Sequence, residues 1–207
     1  MSTLRRFGLR LYYVQVESNL SEVRDDPAPV VPAGIDTRIV PIESLEPHAG
    51  RVDDLDHEFL QQASARDDQC VANFAGDELV GYAFVSFTRA PVTDQLDVLV
   101  PRGFQYIYKG WTHPDYRRAN LTKARQHVRR KALLKNRAPR GIRYIETHNY
   151  ASLLHGYRAP SDRDLHMGFC GSITIWGREV PFNTRRARWI GFELVRKTDT
   201  RPRQYVA

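Results

Sequence analysis

The stretch YIYKGWTHPDYRRANLTKARQHVRRKALL, residues 106–134, limits what this chain can fold into more than any other. It passes from an apolar run into a proline-bearing loop with two adjacent arginines, and then into a segment whose apolar residues recur at helical spacing: Leu121, Ala124, Val128, Ala132 and Leu134. Pro114 disfavours helix at the residue before it, so the pattern predicts a helix after the proline, over residues 116–137. The first turn of a helix has N–H groups without a partner in the helix, and the helix dipole adds partial positive charge. A strand, a basic loop and a helix in this order therefore make a receptor for an anion such as a pyrophosphate. Arg117, Arg118 and Lys123 would reinforce it. The competing explanation is a basic helix face that simply meets solvent, and context has to decide between the two.

The surroundings are mixed α and β. Residues 7–16 alternate like a strand, residues 18–34 form a polar, proline-bearing loop, and residues 39–42 suit a short strand. Val52, Leu55, Phe59 and Ala63 predict an amphipathic helix over residues 51–66. QCVANF and LVGYAFVSFT flank a Gly76-Asp77 turn signal, which predicts an antiparallel hairpin. Residues 91–103 read as a loop, 104–111 as a strand, 142–147 as a strand, 149–155 as a short helix and 158–164 as a loop. A last hairpin, residues 172–176 with 179–182, turns about Gly177-Arg178.

With 207 residues and an ordinary share of apolar side chains, one domain is the expected organisation, with an N-terminal strand and loop extension (about 1–35) and a basic C-terminal tail (about 196–207). No run approaches the roughly 20 apolar residues of a membrane span, and the N-terminus lacks a signal-peptide cleavage pattern, so a cytoplasmic protein is expected. Cys70 and Cys170 sit in apolar runs without close Cys or His partners, which predicts buried, reduced thiols and no metal. The net charge of +7 suits an anionic partner without saying which.

The run Thr112-His113-Pro114-Asp115-Tyr116-Arg117-Arg118-Ala119-Asn120-Leu121-Thr122 resembles, without gaps, the signature of the GNAT superfamily of N-acetyltransferases. In that signature a strand ends in Val-x-Pro, a tyrosine follows, and Arg or Gln-x-x-Gly-x-Gly or Ala opens a helix. The family's asparagine after the next strand is matched by Asn149, and its later Gly-Phe pair by Gly168-Phe169. The likeness spans residues 51–195. It implies an α+β fold with a central, mostly antiparallel mixed sheet flanked by helices. It also implies transfer of an acetyl or longer acyl group from acyl-CoA to an amine acceptor, small molecule or peptide. By the resemblance, backbone N–H groups of Arg117, Arg118, Ala119, Asn120, Leu121 and Thr122, helped by Lys123, would hold the CoA pyrophosphate. Trp111, Thr112 and Asn149 would lie along the pantetheine arm.

Both family glycines are replaced. Asn120 stands at the first, and asparagine tolerates left-handed backbone better than most residues. Thr122 stands at the second, where a branched side chain is expected to crowd a phosphate although its hydroxyl has a proton to donate. An acyl carrier protein as donor, or a scaffold without catalysis, would also suit these losses. The family's acid, a tyrosine, aligns with Gly156, which makes neighbouring Tyr157 the candidate. Glu146 and His148 lie two residues apart at a strand end and share a face, which makes them candidate bases; surface solvation and a structural hydrogen bond are the plainer roles. A nucleic-acid-binding module is the rival from another class, prompted by Tyr106, Tyr108 and Trp111 beside the basic helix, although no RNA-binding signature accompanies them. A homodimer stays open.

Overall fold

The computed structural model describes residues 8–17, 27–52, 55–133, 140–147, 149, 165–190 and 192–198. It has eleven described strands: β1 (Leu9–Glu17), β2 (Ile35–Val40), β3 (Gln69–Ala75), β4 (Glu78–Ser86), β5 (Arg89–Pro91), β6 (Leu96–Leu99), β7 (Phe104–Thr112), β8 (Arg140–Glu146), β9 (Leu165–Ile175), β10 (Arg178–Asn183) and β11 (Glu193–Arg196). The helices are α1 (His57–Ala65), α2 (Leu121–Leu133) and α3 (Arg185–Ile190), with short 3-10 turns at Ile42–His48 and Pro114–Tyr116. The fold is α+β, a mixed sheet of mostly antiparallel strands flanked by helices. The chain groups into two compact units: Met1–Asn19 with Thr88–Tyr106 and Arg140–Ala207, and Leu20–Phe87 with Ile107–Pro139.

In the first unit the strand order is β10-β9-β1-β8, with the start of β7 parallel to β8 through Phe104↔Arg140 and Tyr106↔Ile142. β1 lies antiparallel between β8 and β9, so Tyr12 faces Glu146 on one side and Cys170 on the other. Alternation then sends Tyr12, Tyr144 and Cys170 to one face, where Tyr12 meets Tyr144 edge-on at 4.7 Å and Tyr144 stacks on Tyr106 at 5.5 Å. Phe192 closes this cluster. The other face carries Phe169, Ile173, Ile175 and Val180, all exposed. A smaller sheet, β11-β6-β5, buries Leu96, Val98 and Leu194.

In the second unit the order is β7-β4-β3-β2. The β3/β4 hairpin turns about Gly76-Asp77, with Gly76 at φ 61°, as the turn signal predicts. Phe84, fully buried, meets Phe59 of α1 edge-on at 4.7 Å, with Tyr82 and Tyr108 beside it. Behind them Tyr108 donates to Asp68 at 2.6 Å, and Arg66 donates to both Asp68 and Tyr108.

Several sequence expectations are corrected. The first helix starts at His57, not at residue 51, because Asp56 takes the N-cap and accepts the Phe59 N–H at 2.7 Å. Residues 91–103 are not one loop: Leu96–Leu99 pairs with β11, nearly a hundred residues away. α2 begins at Leu121 instead of residue 116, after a single 3-10 turn set by Pro114. The last hairpin is longer than the periodicity suggests, since β9 runs back to Leu165. Its turn carries Trp176 and Gly177, both at positive φ. The short helix expected at 149–155 and the loop at 158–164 lie outside the described residues, Asn149 excepted.

Candidate functional site

β7 delivers the chain to the loop. At its end Trp111 stacks on Tyr82 at 5.7 Å, His113 meets Trp111 edge-on, and Tyr116 meets His113 in the same way. The His113 N–H donates to the Val80 carbonyl, which ties the turn to β4. Pro114–Tyr116 then makes its 3-10 turn, within which the Arg117 N–H donates to Pro114 and the Ala119 N–H to Tyr116.

Arg118 and Asn120 both adopt left-handed backbone, at φ 67° and 58°. Asn120 tolerates this region and is further fixed by its side-chain amide, which donates to the Val30 carbonyl at 3.1 Å. For Arg118 the same conformation costs on the order of 1 kcal/mol. Leu121 is buried and opens α2, whose first-turn N–H groups at Leu121, Thr122 and Lys123 have no intrahelical acceptor. Arg117, Arg118, Asn120, Thr122 and Lys123 are exposed, and α2 contains no acidic residue.

Beneath the loop lies a feature that the helical wheel hides. Arg125 is only 5% exposed and turns inward from α2. Its Nη1 donates to the Asn73 side-chain carbonyl, and its Nη2 donates to Thr112 Oγ1 at 3.0 Å and to Thr122 Oγ1 at 3.2 Å. Asn73 in turn donates to Thr37 at 2.7 Å. Gly81 makes the space: a Cβ there would lie 2.3 Å from Arg125 Nη1 and 2.9 Å from the Asn73 oxygen. Burial pushes the guanidinium down to about 10, and it stays charged at neutral pH. The signals were present in the sequence, because Arg125 follows Leu121 by one helical turn and Asn73 and Gly81 interrupt apolar strands.

Glu146 ends β8 in the first unit, half-buried and opposite Tyr12 in register. Asn149 is exposed, and its N–H donates to the Glu146 carbonyl at 2.8 Å, which fixes the backbone just past the strand. His148 and Tyr157 lie outside the described residues. Gly168-Phe169 falls inside β9, where a Cβ on Gly168 would stand 2.9 Å from the Ala187 nitrogen of α3. Cys70 and Cys170 are free and buried, and among the described residues no group of three or more His, Cys, Asp or Glu is arranged to hold a metal. No described helix is long and apolar enough to cross a membrane.

No family model matches the sequence, and no curated protein matches it. Solved structures do resemble the fold. A tandem GNAT protein from the clavulanic acid biosynthesis pathway is similar over 72% of this chain and 49% of its own, with 14% identity and a TM-score of 0.51. A Drosophila protein is similar over 84% of this chain and 55% of its own, with 12% identity and a TM-score of 0.52. A GCN5-related N-acetyltransferase from Sphaerobacter thermophilus is 14% identical, covers 93% of this chain and 52% of its own, and has a TM-score of 0.43. The chain shares the fold of the tandem GNAT protein. The chain spans about half the length of these structures.

Proposed function

We propose that the chain is an acyl-CoA-dependent N-acyltransferase that carries the CoA diphosphate on the loop 117–122. The observation that supports this most is the opening of α2, where unpaired N–H groups, a helix without acids and the exposed Arg117 and Arg118 converge. Since Arg117 and Ala119 spend their N–H groups on Pro114 and Tyr116, the donors left for phosphate are the backbone of Arg118, Asn120, Leu121, Thr122 and Lys123, together with the two guanidinium groups. By the family resemblance, Trp111 and Thr112 lie along the pantetheine arm, and Asn149 is proposed as a hydrogen-bond partner of that arm.

In the transfer itself the amine nitrogen attacks the thioester carbonyl carbon, the C–S bond breaks, the amine gives up a proton and the thiolate gains one. Glu146 or His148 takes the first proton, directly or through water, and Tyr157 supplies the second. A panel of acyl-CoA esters of increasing chain length, run with pooled amines and peptides and followed by free-thiol release, tests the activity. Thiol release that needs no amine, or none at all, would refute it.

Two variants test the placement. Each charged hydrogen bond to phosphate contributes about 1.5 to 3 kcal/mol, and exposed groups fall at the low end, so Arg117→Ala with Arg118→Ala should weaken acetyl-CoA binding by at least about tenfold. Calorimetry on the folded double variant measures it, and unchanged affinity would move the phosphate site elsewhere. Asn149→Ala should raise the KM for acetyl-CoA several-fold while leaving the melting temperature in place, because the residue is exposed. A collapse in melting temperature instead would assign Asn149 a structural role.

A further inference from the structure

Arg125 is a buried cation for which the described residues provide no carboxylate. Its three hydrogen-bond partners, Asn73, Thr112 and Thr122, are neutral, and its Nε has no partner. Burying a charge without a counter-charge is costly, and such a group is retained where something else is gained. The contacts are directional as well. Nη2 reaches Thr112 at the end of β7 and Thr122 in the first turn of α2, the two residues that flank the loop. Thr122 accepts from the guanidinium, so its own hydroxyl proton points away from Arg125, and Thr122 is exposed beside the open N–H groups of the helix. Gly81 keeps the pocket for the guanidinium clear, which ties the arrangement to this sequence and not to helix openings in general.

We propose that Arg125 is a positioning residue for the anion bound at the loop, acting through the Thr122 hydroxyl, so that a bound diphosphate supplies the counter-charge the protein withholds. The inference rests on the acyl-CoA reading of the same loop. A hydroxyl that accepts from a guanidinium is a stronger donor than a free one, since hydrogen bonds in a chain polarise one another. Thr122 then contributes to the site where crowding alone would have made it a defect, and the departure from glycine is matched by a departure beneath it.

The test measures binding and stability separately, with acetyl-CoA and inorganic pyrophosphate as probes on the full chain. Arg125→Met keeps the side-chain length and removes the charge. The expected result is an unliganded melting temperature at or above that of the parent protein, together with a loss of at least tenfold in affinity for both probes. Thr122→Val, which keeps the shape and removes the hydroxyl, should weaken binding several-fold in the parent and add nothing in the Arg125→Met background. If Arg125→Met does not fold, Arg125→Lys keeps a charge that cannot reach both hydroxyls, and it should weaken pyrophosphate binding and make Thr122→Val silent. Parent-like affinity in the folded Arg125 variant, or independent effects of the two substitutions, overturns the inference while leaving the acyl-CoA reading intact. A parent protein that binds neither probe overturns both.

Discussion

Phe84→Ala is expected to cost about 3 to 5 kcal/mol, a large part of the roughly 5 to 15 kcal/mol by which a domain is stable. Phe84 is fully buried and touches three other rings, with Phe59 at 4.7 Å, Tyr82 at 5.6 Å and Tyr108 at 5.9 Å between centroids. Truncation removes those ring contacts and leaves a cavity that α1 and the sheet close only in part. Tyr82 is also the ring on which Trp111 stacks, so loosening at Phe84 reaches the strand that presents the loop. Urea unfolding measures the effect as a midpoint lower by on the order of 2 M at constant slope. A shift below about 0.5 M would show that the aromatic cluster repacks, and that this face of β4 contributes little to stability.

Much of the scaffold was legible because its signals are local. The β3/β4 hairpin declares itself through two apolar runs about Gly76-Asp77, and β7 through its apolar run before Pro114. What escaped depends on distant partners or on single polar atoms. Leu96–Leu99 is too short and too near prolines to read as a strand until Glu193–Arg196 lies beside it. Residues 51–56 follow the helical pattern, but Asp56 competes for the Phe59 N–H and starts the helix six residues late.

The loop divides in the same way. Left-handed backbone at Asn120 follows from the tolerance of asparagine, whereas the same conformation at Arg118 has no signal in the residue itself. The inward turn of Arg125 was missed because charge periodicity assigns a basic residue to solvent by default. Leu121, Arg125, Val128 and Arg129 nonetheless fall on one arc of the helix, and both arginines are buried. A polar residue on a buried arc opposite an asparagine and a glycine in apolar strands is a readable pattern once all three are considered together. Each alone is unremarkable.

Stability should fall steeply between pH 8 and pH 10, earlier than for a protein whose thiols and phenols face water. Burial pushes the Cys70 thiol up to about 12 from an ordinary 9.0, with a backbone hydrogen bond and Arg125 pulling more weakly the other way. Burial also raises Cys170, Tyr144 and Tyr108, the last helped by the adjacent Asp68 carboxylate. The sign follows from proton binding. Above pH 9 the unfolded chain releases the thiol protons while the folded protein keeps them, so the folded state is favoured less with each step upward, until pH passes the folded values. Arg125 opposes this only from about pH 10, where its depressed value lets the folded protein shed that charge first. Two thiols fully displaced and two phenols partly so give a loss of about 3 kcal/mol over the two pH units. Urea midpoints at pH 8 and pH 10 measure it, and Cys70→Ala should remove roughly two-fifths of the pH dependence. A midpoint that holds steady across this range would mean that water reaches these groups in the folded state, and that the β3/β4 core is looser than its packing implies.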